Sequence, residues 1–162
     1  MKLSWWPIVP LTITGLIAFW FVGMVSFFFS QREMAHQITC ASNIKQMSSA
    51  LMQYELDHDG LTPPAATWCN AYKIYTRHII KCPAAGGNVG YAYNNRLDHV
   101  KSSDYSDPTT VVWIYDSTSS AYNAHDNLTS IPKPGRHNFA GSSNNYGFLD
   151  GHVKWEISPP AH

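Results

Sequence analysis

An α+β fold is predicted, in which one long N-terminal helix, apolar and then amphipathic, packs on a small antiparallel β-sheet. Residues 8–29 form an apolar run without an ionisable side chain. Residues 31–58 contain neither Gly nor Pro and place Cys40, Ile44, Met47, Leu51 and Tyr54 on one helical face. The remainder breaks into short aromatic and β-branched runs between turn signals, the pattern of a small sheet. At 162 residues there is room for one compact domain plus an anchor, domains commonly running about 100 to 150 residues. The expected division is an anchor over 1–30 and a folded head over 31–162, with the helix continuing to about 58.

The anchor follows from length. At about 1.5 Å per helical residue, roughly 22 residues span on the order of 33 Å, close to a hydrocarbon core of about 30 Å. A cleaved signal peptide usually has an apolar region of only about 7 to 15 residues, ending in small residues. This run is longer and ends Phe27-Phe28-Phe29-Ser30-Gln31-Arg32, so a retained single-pass anchor is expected. Ile8, Leu16, Phe19, Phe21, Val25 and Phe28 are the side chains expected to meet lipid or neighbouring helices. Trp5 and Trp6 suit the headgroup layer, and Pro7 and Pro10 fit a first helical turn better than an interior. Lys2 and the terminal amine compete with Arg32 and Lys45 for the cytoplasmic side. The expectation is N-terminus in and head out, at the inner membrane, because cysteines in the head suit an oxidising compartment.

The head is punctuated densely. Asp59-Gly60 and Pro63-Pro64 end the long helix, and 67–77 reads as a short second helix with Trp68, Tyr72 and Tyr75 on one side. Strands are expected over 89–93, 109–115, 146–149 and 152–157. Asp150-Gly151 joins the last two and predicts a C-terminal hairpin with a type I′ turn, which needs positive φ at both central residues. Residues 122–145, rich in Ser, Asn, Gly and Pro, read as a surface loop.

Composition excludes more than it identifies. Lysine plus arginine equals aspartate plus glutamate at 11 each, and 14% of residues are charged, so no broad positive field points to nucleic acid. Asp57-x-Asp59-Gly60 resembles the opening of a calcium loop, but no bidentate Glu follows at the right distance, and a helix-ending turn explains it. His58, His137 and His152 with Asp150 offer ligand types for zinc at spacings that match no helical metal motif, and with Asp150-Gly151 as a hairpin tip His137 is expected instead to make hydrogen bonds that hold the preceding loop against it. Arg136 is expected to pair with Asp116 at the end of its strand. The three cysteines leave open a disulfide with one thiol over, free core thiols, or a metal site short of a fourth ligand. With no Ser-His-Asp order, phosphate loop or paired zinc cysteines, neither an enzyme nor a cofactor is expected.

Several segments carry a family resemblance through their order. They are Cys40-Ala-Ser-Asn43-Ile-Lys45-Gln46, Tyr54-Glu-Leu-Asp57-His58-Asp59-Gly60 with Pro63-Pro64, Trp68, Cys82-Pro83, and Gly90-Tyr91-Ala92-Tyr93-Asn94. Thr110-Val-Val-Trp-Ile-Tyr-Asp116-Ser117, Arg136-His137-Asn138 and Asp150-Gly151-His152-Val153-Lys154-Trp155 follow. Over roughly residues 38–156 the chain resembles type IV pilin-like proteins of the prepilin-type H-X9-DG family. The resemblance implies a pilin-like or pseudopilin-like subunit of a surface filament or secretion apparatus, with the membrane and like subunits as partners. It also implies structural roles for Asn43, Arg136, His137, Asp150 and Gly151, a Cys40 to Cys82 bridge with Cys69 to Cys82 as the second choice, and the head-out orientation. Two features depart from the family. Its glycine and Phe-Thr-Leu-Ile-Glu start are not matched, Gly15 being followed by Leu-Ile-Ala-Phe-Trp, so peptidase processing and methylation do not carry over with the resemblance; and twelve residues, not nine, separate His137 from Asp150. A monomeric, signal-anchored binding domain displaying Tyr- and Asn-rich loops is the alternative.

Overall fold

The structure, a computed structural model, describes residues 8–77, 80–138 and 141–157, with side chains from residue 13 onward. Lys2, Trp5, Trp6 and Pro7 lie outside the described residues, as does the side chain of Ile8. Helix α1 runs unbroken over Ile8–Asp57, close to the expected limit. Pro10 stands in its first turn, where a missing N–H breaks no intrahelical bond. At the far end Gly60 N–H donates to Glu55 O at 2.8 Å, and Asp59 and Gly60 take positive φ of 54° and 76°. This left-handed wrap satisfies an orphan carbonyl and turns the chain back.

The second half of α1 is the central rod of the head. Cys40, Ile44, Met47 and Leu51 are fully buried against one face of a five-stranded sheet. Helix α2, Trp68–Thr76, packs beside α1 and buries Trp68, Cys69, Ala71 and Tyr72. Trp68 stacks on Tyr93 with ring centroids 5.8 Å apart and donates its indole N–H to Ala124 O at 3.0 Å.

The strands are β1 Tyr91–Asn94, β2 Val112–Asp116, β3 His125–Asp126, β4 Asn144–Phe148 and β5 Val153–Glu156, in the order β3-β1-β2-β4-β5. Four of these overlap the runs read from the sequence; β3 does not. The sheet is antiparallel except at that edge, where β3 pairs in parallel with β1. The exception follows from topology. The chain leaves the end of β2, passes β1 and returns on its far side, so it must run with β1. The segment 122–145 is therefore more than a surface loop. Its Ala124 and Ile131 are buried with Ala92, Val112, Tyr115, Tyr146 and Phe148, covering the sheet face opposite α1.

The β4–β5 hairpin forms where Asp150-Gly151 predicts it, with different turn chemistry. Only Gly151 has positive φ, 84°, and Gly151 N–H donates to Phe148 O at 2.7 Å while Phe148 N–H donates to His152 O at 2.9 Å. That is a three-residue connection, a tight turn closed by a left-handed glycine bulge, because Asp150 keeps the ordinary negative φ of an L residue.

Helix and sheet meet at Gly147. A Cβ on Gly147 would lie 2.5 Å from Ile44 Cγ2 and 3.0 Å from Ser48 Oγ, so the missing side chain is what lets α1 settle on β4. Beside it Trp113 Nε1 donates to Ser48 Oγ at 3.0 Å, and Lys45 Nζ reaches Gly151 O at 2.6 Å. Gly147→Ala is expected to destabilise the head by about 1–3 kcal/mol through overpacking. Urea unfolding of the detergent-solubilised chain, followed by tryptophan fluorescence, checks this; an unchanged midpoint would show that the contact can relax.

Candidate functional site

Two features stand out from the residues upward: an apolar stem with nothing on it and a closed polar cluster where the stem enters the head. The stem is the first part of α1. Leu16, Phe19, Phe21 and Phe28 are exposed and Val25 is half-buried, so of the expected contact residues those described are open to a medium or a neighbour. Shallow apolar grooves run along it, one lined by Leu16, Ile17, Trp20, Phe21 and Met24, another by Phe19, Trp20, Gly23, Met24 and Phe27. An added Cβ at Gly15 or Gly23 would meet nothing. The helix is long and apolar enough to be a membrane span or a signal sequence. Exposing so many large apolar side chains to water is unfavourable at about 25 cal/mol per Å², which is why such a surface needs lipid or protein against it.

The polar cluster is centred on Asp116, which is fully buried at the end of β2. Its Oδ1 lies 3.3 Å from Arg136 Nη1, its Oδ2 lies 3.2 Å from His137 Nε2, and Oδ2 accepts the Asn145 backbone N–H at 2.7 Å. Arg136 also donates to Gly90 O and Ser117 O, and its backbone N–H is received by Asn144 Oδ1 at 2.9 Å. His137 pairs through its backbone with Ser143 at 2.9 Å in both directions. The Arg136 to Asp116 pair stands as expected. His137 is a correction: it does not hold its loop against the Asp150-Gly151 tip but sits at the opposite end of β4, because antiparallel pairing puts the start of β4 beside the end of β2. The cluster joins β1, β2, β4 and the preceding loop, with both acidic and imidazole groups closed off from solvent.

Asn43 ties α1 to the same end of the sheet, donating to Lys81 O at 2.9 Å and to Tyr91 Oη at 3.1 Å. Cys40 and Cys82 meet one turn below. The bridge that the resemblance implies is not formed: all three cysteines are free thiols, and Cys69 is not joined to Cys82 either. Topology brings the pair together as expected, their sulfurs lying 2.6 Å apart without a bond between them. The Cys82 sulfur beside it, with burial, pushes the Cys40 thiol up, while the Cys40 sulfur lowers Cys82 to about 6 against the opposing effect of burial, Cys82 being the more acidic partner beside the Arg136 guanidinium. Cys69 is buried by α2, and burial pushes it up to about 11.

The remaining sequence candidates are dispersed. Asp57 Oδ2 accepts from Tyr75 Oη at 2.7 Å, and Asp59 forms the turn after α1. Asp150 accepts from His152 Nδ1 at 2.5 Å at the hairpin tip, where His152 stacks on Phe148. Among the described residues no three His, Cys, Asp or Glu side chains group to hold a metal ion. Glu55 gave no signal in the sequence, lying on a helix without a partner motif. Burial raises its carboxyl to about 7, against the opposing hydrogen bond of Ser102, and its Oε1 is buried without a partner among the described residues.

No family model matches the chain, and neither a curated protein nor a solved structure shows significant similarity to it. The fold itself, a long N-terminal apolar helix packed on a small mixed β-sheet, is compatible with a pilin-like architecture.

Two outcomes are expected. Asp116→Ala should cost about 3–5 kcal/mol, because it strands a largely buried guanidinium and the buried Asn145 N–H; a loss below about 1 kcal/mol in urea unfolding would mean that the cluster is solvated. Glu55 has a folded-state pKa above its unfolded value, so the stability it allows is full below about 4.5 and falls as pH rises through about 7. Glu55→Gln should therefore raise the melting temperature at pH 8 more than at pH 4, and equal shifts at both would refute the assignment.

Proposed function

We propose that this chain is a pilin-like structural subunit of a cell-surface filament or secretion apparatus, held in the inner membrane with its head outside. Its apolar helix serves both as membrane anchor and as the surface on which like subunits pack. One observation carries the reading: a single helix, Ile8–Asp57, is exposed and apolar along its first part and forms the core of a folded head along its second. A mere tether needs no such continuity. An unbroken rod fixes the head at a set height and angle to its neighbours, as a repeating assembly requires. The closed polar cluster around Asp116 then has a structural role, keeping the sheet end rigid where the rod enters, and no catalytic one.

A monomeric, signal-anchored binding domain is the second reading. It is favoured by the absence of an acidic residue from residues 13–29, which leaves the stem without the register glutamate of the family it resembles. The two readings separate on the stem. A photo-crosslinking amino acid at Phe19 or Phe28 of the full chain in lipid vesicles should yield a ladder of homo-oligomers. Lipid adducts alone at both positions would sink the assembly reading and support the monomer.

A further inference from the structure

The end of the apolar segment carries charges that the head does not use. No side chain ionises over residues 13–31, and Arg32 and Glu33 then follow as neighbours. Arg32 is exposed and Glu33 half-buried. Neither has an ion-pair partner among the described residues, whose pairs are Arg136 with Asp116, His137 with Asp116, and His152 with Asp150. They cannot neutralise each other: successive helical residues are about 100° apart around the axis and only about 1.5 Å apart in height, so the two project to different sides at nearly one level.

We propose that Arg32 of one copy pairs with Glu33 of the next, so that the partner for this level of α1 is a second copy of the chain and the pair sets the lateral register of assembled stems. The inference rests on the reading of the stem as an assembly surface. A bilayer holds every anchored copy at one depth and in one orientation, because each apolar segment must match the same hydrocarbon slab. Parallel copies related by rotation about the membrane normal make head-to-tail contacts, each helix offering one side to the neighbour before it and another to the neighbour after it. A cation on one side and an anion on the other, at equal height, are complementary in that arrangement at every contact. A lipid headgroup layer accounts for Arg32 but leaves Glu33 opposed to the phosphates. The position also suits the pair, since the field between two charges is stronger beside hydrocarbon than in bulk water.

The test is a charge exchange. The full chain, carrying a donor or acceptor fluorophore at its C-terminus, is reconstituted in phosphatidylcholine vesicles, and energy transfer is followed against protein-to-lipid ratio. Arg32→Glu sets two carboxylates side by side and Glu33→Arg two cations; each should weaken self-association about threefold to fivefold. The double exchange should restore it, and a mixture of the two single variants should associate better than either alone. Neither position supports the core of the head, so the variants are expected to fold. Equal transfer for wild type and all variants, or a double exchange that fails to restore it, overturns the ion pair and leaves assembly standing. Wild-type transfer no greater than random proximity at every ratio overturns the assembly reading beneath it.

Discussion

The close contact between α1 and β4 is the constraint on which the rest of the structure depends. At Gly147 the sheet has no side chain, and Ile44 and Ser48 occupy the space that one would fill. That approach brings Ser48 within reach of the Trp113 indole and lets Lys45 reach the hairpin carbonyl at Gly151. The helix is thereby fixed across β2 and β4 and at the tip beyond them. Because the same helix continues outward as the stem, packing in the core also determines where the apolar segment points.

The two ends of the sheet are closed by different chemistry. Away from the stem the ties are single hydrogen bonds without an ion pair: Thr62 Oγ1 donates to Leu97 O at 2.6 Å, and Asp98 Oδ1 accepts the Ala65 N–H at 2.8 Å. Where the stem enters, the ties gather on the fully buried Asp116 carboxylate, and one of them is the ion pair with Arg136. A carboxylate withdrawn from water is tolerable only with donors around it, and here a guanidinium and a backbone N–H donate to it, with the His137 ring 3.2 Å away. The arrangement is demanding in geometry, and it ties β1, β2, β4 and the loop before β4 together at the end of the sheet where the stem enters.

How much of this was legible in the sequence depends on whether the signal was local. The rod was readable because Cys40, Ile44, Met47, Leu51 and Tyr54 repeat at helical spacing with no Gly or Pro between them. The hairpin was readable from Asp150-Gly151, although its turn type was not, since φ at Asp150 is settled by the strands it joins. Strand β3 was invisible: two residues, His125 and Asp126, carry no periodicity, and they become a strand only because β1 offers an edge. The link between Arg136 and Asp116 could be guessed from chemistry. That His137 belongs with them, and not with Asp150, follows from strand register, which no short motif encodes. In the sequence Gly147 is merely one residue of a strand, because a close approach between distant elements leaves no trace beside the glycine itself.

The continuity of α1 also decides how mechanical load enters the head. A pull along the stem is carried by the axial ladder of backbone hydrogen bonds and reaches the sheet as shear, spread over the buried face from Cys40 to Leu51. Contacts loaded in this way give way together, whereas a flexible tether would concentrate the same force on one terminal residue and peel it free. The head therefore behaves as a lug forged onto its shaft, able to transmit tension without first unravelling at the joint.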